Sequence, residues 1–161
     1  MACDRFEDDG YCVIELRDLG PIHNSRAYLT EQVRALLGDR TITLEEYHRV
    51  VSDDDERHAR VQAHLTELLR REKLYLPIFE RNVSCFAELI GPDIDVQVAP
   101  YLRIVRPFKS QDNIGYHRDT AYGGSAYELS VFIPFVELPG EAALSVEPGS
   151  HLKSDSEILF M

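Results

Sequence analysis

The spacing of apolar positions changes character near the middle of the chain. In the first half it is helical. "SRAYLTEQVRALLG" carries Ala27, Leu29, Val33, Leu36 and Leu37 close to a three-and-four repeat, with Ser25 as N-cap and Gly38 as the stop. "TLEEYHRVV" reads as a short helix, and "DERHARVQAHLTELLRREK" as a longer one whose apolar stripe is Val61, Leu65, Leu68 and Leu69. Ser52 or Asp53 would cap that helix, and the run "SDDDE" suits its positive end. Pro77 breaks or restarts it, and "PIFERNVSCFAELIG" continues as one further helix up to Gly91. Before all of these, "YCVIEL" follows the turn signal "DDG" and reads as a short strand.

Beyond Gly91 the period falls to two. "DVQVAPYLRIV", "YELSVFIPFVEL" and "AALSVEP" are rich in β-branched and aromatic residues and predict strands, with Pro100 and Pro134 at edges or bulges. Helices followed by strands predict an α+β domain in which helices brace one face of a mainly antiparallel sheet. No repeat, linker or composition shift divides the chain, so residues 1–161 read as a single domain, with 1–91 mainly helical and 92–161 mainly strands.

Composition narrows the partners. With 44% hydrophobic and 28% charged residues the chain is ordinary for a globular protein. No run approaches the roughly 18 apolar residues of a spanning helix, so no membrane role is expected. "MACDRFEDDG" lacks both the basic and the apolar regions of a secretory signal, which points to the cytoplasm. A net charge of −11 with scattered basic residues argues against nucleic acid and for a small-molecule substrate. "SDDDE" lacks the spacing of a calcium loop. Cys3, Cys12 and Cys85 form no CxxC pair, and the latter two sit in apolar runs, so they read as packing thiols. His48, His58 and His64 lie on predicted helices without an HExxH pattern and read as solvated.

"NIGYHRDTAY" holds the candidate chemistry. On extended backbone His117 and Asp119 share a face while Arg118 points away, so the two can chelate one ion. An imidazole and a carboxylate are two of the three protein ligands in a 2-His-1-carboxylate iron site. The same spacing also suits an ion pair or a hydrogen-bonded core histidine. Tyr116, Tyr122 and Phe132 are aromatic strand residues that suit either a substrate pocket or the core.

Three segments in order resemble the phytanoyl-CoA dioxygenase family of Fe(II)- and 2-oxoglutarate-dependent oxygenases. They are "FEDDGYCVIEL", "YHRDTAY" and "YELSVFIPFVELPGEAALSVEPGSH", the last with its closing PGSH turn. The resemblance implies a double-stranded β-helix, or jelly-roll, with helices packed outside. It implies Fe(II) held by His117 and Asp119, 2-oxoglutarate and molecular oxygen as cosubstrates, and Arg106 facing the cosubstrate. In the family the histidine at the position of His151 closes a turn. The activity implied is hydroxylation of a small molecule coupled to decarboxylation of 2-oxoglutarate to succinate. An Asp at position 119, where halogenating members carry a small residue, points to hydroxylation.

The family's distal histidine ligand and its carboxylate-clamping arginine follow the PGSH turn on later strands, and the sequence runs only ten residues past His151. The expectation is therefore a jelly-roll incomplete at its C-terminus and inactive as this chain alone. An exposed sheet edge would then pair with a second copy or a complementing chain. Two readings stay open: an oxygenase centred on His117 and Asp119, or a non-catalytic relic or interaction module. A cupin-like isomerase is disfavoured, since no HxH with a following Glu occurs.

Overall fold

A computed structural model describes residues 4–123, 125, 128–138, 140, 143–154 and 157. Cys3, the Tyr122 side chain and residues 158–161 of the "SEILFM" segment lie outside the described set. Six helices are present: α1 (Phe6–Asp9), α2 (Gly20–Leu37), α3 (Tyr47–Val50), α4 (Asp55–Arg71), α5 (Leu76–Arg81) and α6 (Val83–Ile90). The chain divides into two units, residues 14–107, and residues 1–13 with 108–161.

The first of these units holds the core. α2 packs on α4 and α5, and α5 on α6. The stripe predicted for α4 is the buried one, Val61, Leu65, Leu68 and Leu69, and it meets Leu29 and Val33 of α2 among the other core residues Ile42, Val51 and Ile78. Gly38 ends α2 in the left-handed conformation at φ 70°, as the sequence predicts. Four local expectations shift. α2 begins at Gly20, one residue before Pro21, so Ser25 is interior; its buried hydroxyl donates to the Leu74 carbonyl at 2.8 Å. Asp54 is the residue that caps α4, accepting from the Arg57 amide at 2.9 Å. The helix expected over 77–91 is broken at Asn82, whose fully buried amide donates to the Asp18 and Ile78 carbonyls at 2.9 Å and accepts from the Asp18 amide at 2.8 Å. His58, expected on a solvated face, is 6% exposed and shares a hydrogen bond with the Tyr47 hydroxyl at 3.1 Å.

The predicted β-layer is overturned. Among the described residues there is no strand, and so no sheet, jelly-roll or partial double-stranded β-helix. The reason is visible in the segment after Pro100. Residues 101–106 do alternate: Tyr101, Arg103 and Val105 face solvent, while Leu102, Ile104 and Arg106 turn inward. The backbone, however, bonds to helix side chains instead of a neighbouring strand. Gln62 accepts from the Ile104 amide at 2.9 Å, and the Thr66 hydroxyl donates to the Leu102 carbonyl at 3.4 Å. Farther on, the Tyr75 hydroxyl donates to the Val98 carbonyl at 2.9 Å. Four residues of helix rise about 6 Å and two of extended chain about 6.6 Å, so one polar edge of α4 matches a strand's period. A period-two pattern thus fixes extended backbone but not what pairs with it.

Arg106 closes this antiparallel arrangement at the other end of α4. It is 2% exposed; its guanidinium donates to the Val51 carbonyl at 2.9 Å, the Ser52 carbonyl at 3.4 Å and Asp55 Oδ1 at 2.8 Å. Asp55 keeps 62% of its side chain exposed, so the carbonyl bonds matter more than the ion pair. Arg106→Met, which keeps the apolar stem but leaves the Val51 carbonyl without this donor, is expected to cost about 2 kcal/mol. Asp55→Asn is expected to cost less than about 1 kcal/mol. Urea midpoints at unchanged slope check both, and equal losses would make the ion pair the dominant part.

The second unit is built differently. Every buried side chain described belongs to residues 14–107. The described residues of 4–13 and 108–157 hold α1, 3-10 turns at Ser110–Asp112, Asp119–Tyr122 and Ser150–Leu152, and irregular chain where strands were expected. No helix among the described residues is long and apolar enough to cross a membrane. Cys12 and Cys85 are half-buried.

Candidate functional site

The unit containing the HRD segment is held by bonds to backbone carbonyls. α1 ends at Gly10, left-handed at φ 77°, with its amide bonded to the Phe6 carbonyl at 2.8 Å. The PGSH turn docks on this helix end. The Gly149 amide donates to the Asp9 carbonyl at 2.9 Å, and His151 Nε2 donates to the Glu7 carbonyl at 2.9 Å. His151 therefore ties the PGSH turn to α1. Just beyond it, Ser154 donates through hydroxyl and amide to Glu157, and the hydroxyl bond chiefly holds that carboxyl below its usual range.

Arg118 ties the HRD segment to the same turn. Its guanidinium donates to the Ser150 and Lys153 carbonyls, so it does point away from its two neighbours. Its backbone is extended (φ −107°, ψ 141°), and this single residue sets the side chains on either side of it on one face. Asp119 then opens the 3-10 turn Asp119–Tyr122, which Gly123 ends at φ 90°.

Each member of the pair has a second partner. His117 Nδ1 lies 2.9 Å from the Gly115 carbonyl, and because a carbonyl only accepts, Nδ1 carries the proton. His117 Nε2 is left facing Asp119 Oδ1 at 3.4 Å. The other oxygen of Asp119 accepts from the Ser130 hydroxyl. In this tautomer Nε2 and Oδ1 turn two electron-pair donors toward one point, the disposition that a shared cation needs. Donors about 2.1 Å from a common ion at ordinary bond angles stand about 3.0 to 3.4 Å apart, so the spacing fits such a cation. With His117 29% and Asp119 61% exposed, the pair opens to solvent.

Among the described residues no third His, Cys, Asp or Glu joins them. Arg106, expected to face a cosubstrate, belongs to the other unit and is engaged on carbonyls of the α3–α4 junction. Tyr116 and Phe132 are exposed. Ser130 and the Gly115 carbonyl escaped the sequence reading, since a serine within "ELSVFI" and a glycine before an aromatic residue look like any strand and turn.

Comparison with family models, curated proteins and solved structures found no match to this chain.

The docked turn can be tested directly. A Cβ at Gly10 would stand 2.2 Å from His151 Nδ1, whereas one at Gly38, equally left-handed, would meet nothing within 4 Å. Both alanine variants bear the left-handed penalty of about 1 kcal/mol. Only Gly10→Ala is expected to displace His151 and speed hydrogen exchange of the Gly149 amide, by roughly tenfold or more for each 1.4 kcal/mol of docking energy lost. Unchanged exchange at Gly149 would mean the turn is held elsewhere.

Proposed function

We propose that His117 and Asp119 bind a divalent transition-metal ion, and that the chain carries part of an Fe(II)- and 2-oxoglutarate-dependent oxygenase site for a small molecule and is inactive alone, since no third ligand joins the pair among the described residues. The observation that supports the metal is His117 itself, with Nδ1 held as a donor by Gly115 and Nε2 turned toward Asp119 Oδ1 at 3.4 Å. Metal-bound histidines characteristically donate their second nitrogen to a carbonyl or carboxylate in this way. A mixed nitrogen and oxygen donor pair suits iron, cobalt or zinc better than calcium. The choice of iron, of 2-oxoglutarate and of oxygen rests on the resemblance of "YHRDTAY" and the PGSH turn to the oxygenase family.

When bound, iron supplies oxygen activation at coordination positions the protein leaves open. The chain's own part is to hold two donors. Arg118 fixes the segment through the Ser150 and Lys153 carbonyls, Gly115 sets the imidazole tautomer, and Ser130 occupies one carboxylate oxygen.

Co(II) followed by visible absorption tests the site. Binding with a dissociation constant in the micromolar range or weaker is expected, since two protein donors hold an ion less firmly than three. His117→Ala and Asp119→Ala should each abolish it, and acidification should weaken it because protons compete for both donors. Binding that survives both substitutions would overturn the assignment.

A second reading, a non-catalytic interaction module, is favoured by a different observation. Val131, Phe132 and Leu144 are exposed by 46%, 56% and 61%, in a unit with no buried side chain among those described. Apolar exposure of this kind often marks a protein partner. On this reading the chain self-associates, and sedimentation at micromolar concentration should give a dimer or larger species. A monomer across that range would remove the support.

A further inference from the structure

We propose that Ser130 is a positioning residue for the metal pair, fixing how many oxygens Asp119 can offer. The inference rests on the metal reading above and adds to it a residue far from the HRD segment in sequence.

A carboxylate binds a cation through one oxygen or through both. Two-oxygen binding suits large, weakly directional cations, whereas a single oxygen beside an imidazole suits the smaller transition metals. Among the described residues the Asp119 carboxylate has no bond within its own turn that would choose between these modes. The choice is made by Ser130, eleven residues on, whose hydroxyl donates to Oδ2. With Oδ2 engaged, Oδ1 is the oxygen that faces His117 Nε2 at 3.4 Å. The imidazole is fixed from behind by Gly115, so each donor has one atom turned to the shared point and one held by the protein. Ser130 is exposed, and its hydroxyl bonds to Asp119. A serine that merely tidied a surface carboxylate would leave the cation's surroundings unchanged on removal.

The consequence is a site whose preference is set from outside the ligand pair. Removing the hydroxyl frees Asp119 to rotate and offer both oxygens, which weakens the grip on transition metals and lets calcium compete.

The experiment is a set of Co(II) titrations of wild type, Ser130→Ala, Ser130→Thr and Asp119→Ala, each read by visible absorption and repeated with excess Ca(II), with thermal melts alongside. Ser130→Ala is expected to lose roughly tenfold in Co(II) affinity, the usual scale for a residue supporting a ligand. Its Co(II) spectrum should differ from wild type at saturation, and Ca(II) should displace Co(II) more readily. Ser130→Thr, which retains the hydroxyl, should restore affinity and spectrum. A Ser130→Ala protein with wild-type affinity and spectrum would overturn the positioning role while leaving the metal reading intact, provided Asp119→Ala abolishes binding. If wild type binds no Co(II), or Asp119→Ala binds it unchanged, the metal reading fails and this inference fails with it. A fall in melting temperature shared by Ser130→Ala and Ser130→Thr, with affinity lost in both, would mark a structural role and also overturn it.

Discussion

An extended backbone has to find partners for its amides and carbonyls, and the structure turns on how this chain meets that requirement without a sheet among its described residues. In residues 14–107 the partners come from α4 and its continuation. Gln62, Thr66 and Tyr75 reach the segment from Val98 to Ile104, and Arg106 reaches back to the Val51 carbonyl near the start of α4. The bonds of Gln62 and Thr66 cost the helix nothing, since these side chains lie on a face of α4 that the Val61 and Leu65 stripe leaves free. The core and the extended segment therefore depend on one helix with two working faces.

The HRD unit meets the same requirement more sparsely. Its contacts are donors placed on carbonyls: the Gly149 amide on Asp9, His151 on Glu7, Arg118 on Ser150 and Lys153, and His117 on Gly115. Such bonds are directional and contribute modestly each, and without buried apolar area they define geometry better than they supply stability. That division suits a binding site, where orientation matters most.

How much of this was legible in the sequence differs by element. The α4 stripe and the Gly38 stop were readable, because each rests on a local rule of periodicity or backbone conformation. The start of α2, the break at Asn82 and the burial of His58 were not. Each depends on a partner distant in the chain or on a loop: Ser25 on Leu74, Asn82 on Asp18, His58 on Tyr47. The strands failed for a related reason, since alternation records which side of an extended chain is apolar and says nothing about whether a strand or a helix edge lies beside it. At the candidate site, the shared face of His117 and Asp119 followed from spacing alone. The bonds that orient them, to Gly115 and Ser130, involve residue types too common to signal themselves.

The docking of His151 on Glu7 joins residues 144 positions apart. During synthesis at about 5 to 20 residues per second, the first helix would wait on the order of ten seconds for its partner turn to be made. The helical unit between them has its core partners in hand well before then. Closing the HRD unit thus joins two stretches of chain that lie far apart in sequence, and the cost of that closure is entropic. The HRD segment, which Arg118 ties to the same turn, takes its place with that closure.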